Sequence, residues 1–209
     1  MPTLDDLAIR HGTDKSSLAH HYTKIYERYL DRRRAITLLE LGVWEGESLR
    51  MWREYLPHAT IIGVDKHDRG IQVDGTHIYV ADQADVRELG LIADRFGGFD
   101  VIIDDASHIS SKTIASFQIL YRHLRPGGLY FVEDLQTSYD PVNYGRSEAS
   151  QDPDQPPVGP QRWTAMQFCQ RLADEVNRGL YPTQYLLGYP VDHVAFWPNL
   201  CMIRKAADA

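Results

Sequence analysis

The sequence predicts an α/β fold of the Rossmann-like, doubly wound type. We expect a mostly parallel seven-stranded sheet with helices on both faces, an N-terminal helical extension and a C-terminal antiparallel hairpin strand. First, short apolar runs alternate with helical patterns from residue 36 onwards, which is typical of a parallel sheet. Second, the segment VDHVAFWPNLCMIRK contains two strand-like runs around Pro198 and Asn199, which indicates a tight hairpin. Third, several of the apolar runs end abruptly in acidic residues.

The predicted elements follow one another along the chain in the order that such a fold requires. Two helical patterns, residues 4–11 and 17–34, form an N-terminal helical segment within residues 1–35. Strands are predicted from short apolar runs at residues 36–42, 59–65, 76–82, 100–104 and 129–132. Helices are predicted from their amphipathic periodicity at residues 46–56, 84–96, 110–124 and 162–178. The helix that begins at residue 110 should stop at the Pro-Gly-Gly triplet that follows it.

Composition limits the classes of function that this chain can have. Its 209 residues suit a single domain, 1–209, with a full-sized core, and the formal net charge of -7 argues against a nucleic-acid surface. No apolar run approaches the ~20 residues of a membrane helix, and the N-terminus has no signal-peptide core, so we expect a cytoplasmic protein. The two cysteines, Cys169 and Cys201, lie in apolar segments and are interpreted as buried free thiols.

One segment interrupts the alternating pattern. Residues 140–161 contain five prolines, two glycines and four acids, a composition that predicts a long surface loop. Because this loop follows the Glu133-Asp134 pair, it is a candidate lid over a site there; a merely solvated loop is the alternative.

Acidic residues follow two neighbouring buried strands at the points where those strands end. The segment FDVIIDDASH ends in Asp104, Asp105 and His108, and the run LYFV is followed by Glu133 and Asp134. Because ligands bind outside the carboxyl ends of strands in open α/β sheets, these side chains should converge on one crevice. Carboxylates that lie so close together favour a bound cation, which for oxygen ligands is a hard ion such as Mg²⁺, and the histidine suits a general base.

The turn after the first strand predicts the kind of cofactor. In ELGVWEGES, Gly42 and Gly46 flank the turn, but Trp44 and Glu47 occupy the positions where a dinucleotide fingerprint has its second and third glycines. Both side chains would obstruct or repel a diphosphate, so an adenosine compound without phosphates, S-adenosylmethionine, fits better. The alternative is that the two glycines only make a tight turn.

Acids at the ends of the next two strands extend this cofactor site. Asp65 is placed to accept the ribose hydroxyls, and Asp82, with Gln83 beside it, is placed to accept from the adenine amino group. Glu40 can pair with the ligand's ammonium or stiffen the loop. Asp82 can instead cap the helix that follows it.

These motifs, in this order, resemble those of the class I S-adenosylmethionine-dependent methyltransferases over residues 36–135. The matching segments are ELGVWEGES, GVDKHD, VADQAD, FDVIIDDASH and LRPGGLYFVEDL. A narrower resemblance, to the metal-dependent sugar O-methyltransferases of macrolide biosynthesis, rests on HGTDKSSLAHHYTKIYERYL, DDASH and EDLQTSY. The loop at 140–161 departs from that pattern, which leaves the identity of the acceptor open.

The resemblance implies roles for individual residues. Asp105, Glu133 and Asp134 would bind the metal, and His108 would be the catalytic base, with Asp105 acting beside it. The cofactor set implied by motifs and resemblance together is Glu40, Gly42, Gly46, Asp65, Lys66, Asp82, Gln83, Asp104 and Thr13. Asp104 can instead orient neighbouring groups.

Some residues near these motifs have two interpretations. Gln136, Thr137 and Tyr139 directly follow the metal pair and are candidates for acceptor binding. Thr13, Asp14 and Lys15 form a turn and helix cap on sequence grounds, whereas the resemblance suggests cofactor contact.

Tyr22 and Tyr26 share a helix face, so they either pack in the core or form a pocket wall.

The sequence therefore predicts an enzyme, a Mg²⁺- or Mn²⁺-dependent and S-adenosylmethionine-dependent O-methyltransferase. Its predicted acceptor is a deoxysugar hydroxyl of a glycosylated natural product of antibiotic biosynthesis, a small molecule rather than nucleic acid or membrane. By analogy with relatives we expect a homo-oligomer. The alternatives are a catechol or phenol O-methyltransferase of the same fold, a nicotinamide-dependent sugar oxidoreductase, and a non-catalytic cofactor-binding scaffold.

Overall fold

A computed structural model of the protein describes residues 1–140, 163–179 and 186–207. A seven-stranded sheet crosses this described part of the chain. Its strands are β1 (Thr37–Leu41), β2 (Thr60–Asp65), β3 (Thr76–Val80), β4 (Phe99–Asp104), β5 (Leu124–Val132), β6 (Val191–Trp197) and β7 (Leu200–Lys205). The predicted strands are all present, and the tail forms the predicted hairpin.

The order of the strands across the sheet is β3-β2-β1-β4-β5-β7-β6. Strands β1 to β5 pair in parallel, whereas β7 is antiparallel to both of its neighbours, as the sequence predicts. The chain order reverses between β1 and β4, whose last residues, Leu41 and Asp104, lie side by side. A doubly wound sheet opens a crevice outside the carboxyl ends of its strands at such a reversal. The topology therefore places a site beside Asp104.

Helices cover both faces of the sheet. In the described residues they are α1 (Leu4–His11), α2 (Thr23–Tyr29), α3 (Glu47–Tyr55), α4 (Val86–Phe96), α5 (Ser110–Leu120) and α6 (Ala165–Leu172). Strand residues alternate between two cores: Leu39 and Ile102 pack with α4, α5 and α6, while Leu38 and Val101 pack with α1, α2 and α3. Both cysteines are buried and form no disulfide with each other, which confirms the predicted free thiols.

The helix predicted over residues 17–34 is shorter than expected. Turns occupy residues 12–20, and α2 covers only Thr23–Tyr29. The carbonyl of Lys15 accepts hydrogen bonds from the backbone amides of Tyr22 and Thr23, at 3.0 and 3.1 Å, so the chain folds back before the helix begins. These backbone bonds override the helical periodicity of the preceding residues.

Two further boundaries differ from the predictions. The helix predicted at 162–178 is α6, which Thr164 caps with its hydroxyl, followed by a 3₁₀ helix over Ala173–Asn177. The helix α5 ends at Leu120, before a 3₁₀ turn that leads into a longer β5 than expected.

The predicted lid at 140–161 lies, apart from its first residue, outside the described residues. No helix in the described ranges is long and apolar enough to cross a membrane.

Candidate active site

Two adjoining cavities occupy the crevice at the carboxyl ends of β1, β2 and β4. The first cavity, of about 340 Å³, extends from the loop after α1 to the acidic segment after β4, and the second, of about 210 Å³, extends along β2. Four residues, Gly42, Trp44, Asp65 and Ala106, line both cavities. Ligand sites of ~300–1,000 Å³ are typical for small molecules and cofactors. The two cavities together therefore form an elongated site in the place that the topology predicts.

The glycine turn after β1 forms the shared wall of the two cavities. Gly42 has a φ of +92°, and a Cβ added there would lie 2.0 Å from the carbonyl oxygen of Asp105. Only glycine therefore lets the loops after β1 and β4 approach this closely. Trp44 is 62% exposed, and the guanidinium of Arg69 lies 4.3 Å from the centre of its ring. An exposed indole, rather than a bare backbone, thus faces both cavities.

Asp65, predicted to bind the ribose, lies where the two cavities join. Its carboxylate accepts hydrogen bonds from the backbone amides of Val43, Trp44 and His67 at 2.9–3.1 Å. Burial alone would raise the pKa of Asp65, but these amide bonds outweigh it and lower the pKa below its ordinary value. The structure therefore holds an ionised carboxylate at the centre of the elongated site.

Asp82 and Lys66 line the second cavity, together with Gln83. The carboxylate of Asp82 accepts from Lys112 Nζ at 2.7 Å, and Lys66 Nζ lies 3.8 Å away. Asp82 also accepts from the amide of Ala84 at 2.9 Å, but Asp85 caps the following helix α4 by accepting from the amides of Arg87 and Glu88, so the capping alternative for Asp82 is wrong. The cofactor role of Asp82 stays a prediction.

Asp104 is buried behind the cavity wall. Its carboxylate accepts from the side chains of Gln83, Ser116 and Tyr130. Burial raises the pKa of Asp104 to about 7, although the hydrogen bonds from Ser116 and Tyr130 oppose the rise. Asp104 is not one of the described residues that line the two cavities. This placement favours the orienting role over direct contact with a cofactor.

The acidic segment after β4 meets the residues after β5 at the first cavity. Asp105, His108 and Asp134 each offer one ligand atom, and these atoms all lie within 4.8 Å of one another. His108 Nε2 lies 3.6 Å from Asp134 Oδ2. The two carboxylates offer the oxygen ligands that a hard divalent cation prefers, and the imidazole lies beside them. His108 and Asp134 have φ values of +57° and +53°, a conformation that is uncommon in non-glycine residues and concentrates at functional sites.

Glu133, the third predicted metal ligand, is directed into the protein interior. Its Oε1 accepts from the hydroxyl of Tyr26, and its Oε2 accepts from Lys15 Nζ at 2.8 Å. Burial raises the pKa of Glu133, and the charge of Asp105 raises it further. A carboxylate oxygen has more than one lone pair, so these hydrogen bonds are compatible with metal binding. The assignment of Glu133 as a ligand stays a prediction.

Lys15 lines the first cavity, but sequence reasoning missed its position among the acidic residues. It is 1% exposed, and its ammonium contacts Asp105 and Glu133, with Glu40 Oε1 at 3.4 Å. Burial alone would lower the pKa of Lys15, but the three carboxylates outweigh it and raise the pKa well above its ordinary value. The available signal was chemical: a cluster of predicted buried acids needs a counter-charge.

The rest of the N-terminal segment also reaches the acidic residues. Thr13 lines the first cavity, as the resemblance implies for a cofactor-binding residue. Tyr22 donates its hydroxyl to Asp134 Oδ1 at 2.8 Å, and this bond helps to lower the pKa of Asp134 against the effect of burial. Tyr26 is fully buried and, among the described residues, is not part of the lining of either cavity, so the core interpretation is confirmed; its hydroxyl donates to Glu133.

The remaining predicted residues lie around the two cavities. Glu40 and Gly46 are buried and, within the described chain, line neither cavity; Glu40 Oε2 accepts from Ser48 at 2.8 Å. Thr137 donates to the carbonyls of Asp134 and His108, at 2.8 and 3.2 Å, and so fixes the turn that carries the acids.

Of the other candidate acceptor residues, Gln136 hydrogen bonds to Asp134, and Tyr139 is 69% exposed. None of the three candidates is among the described residues that line the two cavities, so their role in acceptor binding stays a prediction.

Known proteins that resemble the chain are methyltransferases. The 8-demethyl-8-alpha-L-rhamnosyl tetracenomycin-C 2'-O-methyltransferase of Streptomyces olivaceus is 38% identical over 226 residues, which cover 100% of this chain and 56% of the relative. The mycinamicin VI 2''-O-methyltransferase of Micromonospora griseorubida is 39% identical over 158 residues, covering 70% of this chain and 39% of the relative. No protein-family model matches the chain.

Comparison of structures points to the same group. The MycE methyltransferase of the mycinamycin biosynthetic pathway, solved in complex with Mg, SAH and mycinamycin VI, superposes with a TM-score of 0.84 at 29% identity. The match covers 99% of this chain and 54% of that chain. The chain spans about half the length of the curated relatives that it matches across its full extent.

Proposed function

The chain is a homologue of the sugar O-methyltransferases of macrolide and tetracenomycin biosynthesis, and on this premise we propose that it methylates a sugar hydroxyl of a glycosylated natural product. The methyl donor is S-adenosylmethionine, and the metal is Mg²⁺ or Mn²⁺. The observation that carries the proposal is that Asp105, His108 and Asp134 meet on the wall of the first cavity.

The acidic residues and the histidine have complementary roles in this reaction. A sugar hydroxyl has a pKa far above 7, and a bound divalent cation supplies the charge that stabilises the developing alkoxide. Asp105 and Asp134 hold their carboxylates on the cavity wall for that cation. His108 accepts the hydroxyl proton on its imidazole, and Asp134, 3.6 Å from Nε2, stabilises the imidazolium that forms. Thr137 fixes the backbone of His108 and Asp134 so that the two groups keep their spacing.

The elongated shape of the site supports an adenosine cofactor. Asp65, with its lowered pKa, can still accept the ribose hydroxyls with lone pairs that its backbone donors leave. Asp82 and Gln83 in the second cavity are then available to the adenine end. Thr13 and Gly42 border the first cavity, where the methionine end would lie next to the acidic residues.

The geometry of the site disfavours one alternative function, and the names of the relatives disfavour another. Trp44 and Glu47 line the first cavity where a nicotinamide dinucleotide needs bare backbone for its pyrophosphate, which disfavours the oxidoreductase. A catechol would chelate the same metal through two adjacent oxygens, so the site chemistry alone does not separate a phenol acceptor from a sugar diol. The relatives, which are named for sugar positions, favour the sugar.

A methyl-transfer assay with a designed acceptor panel tests the proposal. Chelator-treated protein is mixed with S-adenosylmethionine and with a rhamnosylated macrolide, its sugar-free aglycone or catechol, each with and without Mg²⁺. We expect methylation of the rhamnoside only, only with Mg²⁺, and a fall of ~10²-fold or more in turnover for His108→Gln. Methylation of catechol alone would move the assignment to the phenol class. No transfer to any acceptor, together with no binding of S-adenosylmethionine, would refute the methyltransferase proposal.

Cytoplasmic location and homo-oligomeric assembly stay predictions from the sequence. Light scattering on the purified chain measures the second directly, and a monomer at micromolar concentration would contradict it.

A further inference from the structure

The ammonium of Lys15 lies between two groups of acidic residues, those that line the first cavity and those that do not. It donates to Asp105, which belongs to the candidate metal group, and to Glu133 Oε2 at 2.8 Å. It is 1% exposed, so water does not compensate its charge. The ammonium therefore supplies the positive charge next to two of the carboxylates that are predicted to bind a divalent cation.

A third carboxylate forms a longer ion pair with the same ammonium. Glu40 Oε1 is buried and, among the described residues, accepts no hydrogen bond, although Lys15 Nζ lies 3.4 Å away. The other oxygen of Glu40 is held by Ser48 at 2.8 Å. A buried carboxylate oxygen without a donor is costly, so Glu40 presents an acceptor that a small movement of the ammonium would satisfy.

The backbone of Lys15 is fixed, whereas its side chain contains several rotatable bonds. Its carbonyl accepts from the amides of Tyr22 and Thr23, at 3.0 and 3.1 Å, which anchors the loop to the start of α2. The four-carbon stem carries rotatable bonds that can shift Nζ by the short distance to Glu40 without moving that loop.

We propose that Lys15 is a positioning residue that serves as the built-in counter-cation of the metal site and moves from Asp105 and Glu133 towards Glu40 when a divalent cation binds. Without the metal, the ammonium pairs with the carboxylates of Asp105 and Glu133 and holds them in place. With the metal, repulsion between the two cations drives the ammonium to Glu40, and Asp105 and Glu133 turn to the metal. Lys15 and Glu40 thereby set the metal affinity together, although neither need touch the metal.

The proposal rests on the proposed function only in taking a divalent cation to bind at Asp105, Glu133 and Asp134. Its test is the affinity for Mn²⁺ and for Mg²⁺, measured by calorimetric titration into chelator-treated full chain without cofactor or acceptor. Lys15→Met removes the competing charge, so we expect the metal to bind ~10-fold or more tightly than in the unaltered chain. Lys112→Met is the matched control, because Lys112 pairs with Asp82 in the second cavity, and it should leave the metal affinity unchanged.

A second variant separates movement of the ammonium from a general electrostatic effect. Glu40→Gln removes the charge to which the ammonium would move, so we expect ~10-fold weaker metal binding. In the double variant Lys15→Met with Glu40→Gln, the effect of the glutamine should disappear, because no ammonium remains to be moved. Additive effects in this cycle would overturn the proposal, since they would mean that Glu40 acts only through its charge.

Thermal unfolding keeps the test decisive if Lys15→Met is unstable. We expect the metal to raise the Tm of that variant by more than it raises the Tm of the unaltered chain, because the metal then replaces the missing cation. If the variant does not fold even with metal, unchanged metal affinity in Glu40→Gln still overturns the proposal. Failure of the unaltered chain to bind either metal would overturn both this inference and the metal in the proposed function, whereas normal binding with unaffected variants overturns this inference alone.

Discussion

Replacing Gly42 with alanine should disrupt the contact between the loops after β1 and β4. The added Cβ would lie 2.0 Å from the carbonyl oxygen and 2.7 Å from the carbonyl carbon of Asp105. Both are backbone atoms, so no side-chain rotation relieves the overlap, and the loops must separate. Overpacking of this kind costs roughly 1–3 kcal/mol, and the rigid neighbours here put the expected cost at ~3 kcal/mol.

Gly97→Ala is the matched control for this variant. Gly97 also has a positive φ, +65°, but a Cβ there meets nothing within 4 Å, and it ends α4 away from both cavities. Both variants share a backbone strain of ~1 kcal/mol, so the difference between them isolates the overlap with Asp105.

The assay is thermal and denaturant unfolding of the ligand-free chain, followed by titration of S-adenosylmethionine. A difference of ~3 kcal/mol corresponds to a Tm ~6–12 °C lower for Gly42→Ala than for Gly97→Ala in a chain of this size. Gly42→Ala should also lose cofactor affinity, whereas Gly97→Ala should keep it. Equal stabilities of the two variants would refute the reasoning that the close approach of the loops requires glycine.

Three further predictions concern the buried polar groups and the histidine. Tyr26→Phe removes a hydrogen-bond donor from the buried carboxylate of Glu133, so we expect it to lower the free energy of unfolding, measured with denaturant, by ~2 kcal/mol. Tyr29→Phe, on the same helix, should lower it by under ~0.5 kcal/mol. Equal losses in the two variants would contradict the assigned hydrogen bond. The pKa of Asp104 is about 7 in the folded chain because of burial, and lies near 3.8 when unfolded, so its contribution to stability should fall as the pH rises from about 4 to about 7. Unfolding of the unaltered chain and of Asp104→Asn across this pH range measures that contribution, and a pH-independent difference between them would contradict it. His108→Gln should lower turnover ~10²-fold while Mg²⁺ affinity by calorimetry stays within about twofold, if His108 is the base; a parallel loss of Mg²⁺ affinity would make it a ligand instead.

Local patterns in the sequence were sufficient for the architecture of the sheet. The apolar runs that became β1, β2 and β4 are buried on both faces, so their composition alone distinguishes them from surface strands. The hairpin of β6 and β7 follows from the turn at Pro198 and Asn199. Helix limits were less predictable, because backbone hydrogen bonds to Lys15 shorten α2 in a way that side-chain periodicity does not reveal.

The sequence by itself determined which groups reach the crevice from the strand ends, because parallel strands present their last residues at one edge. Asp65, Asp105, His108 and Asp134 all follow from that rule, and each lines the first cavity. Only the tertiary structure decided how the acids are partnered. Lys15, Tyr22 and Tyr26 come from a segment far away in the chain, and no local pattern connects them with Glu133 or Asp134. The physical reason is that the end of a strand fixes the backbone position of an acidic residue. The charges and hydrogen-bond donors packed around its side chain fix where the carboxylate points and what it can bind.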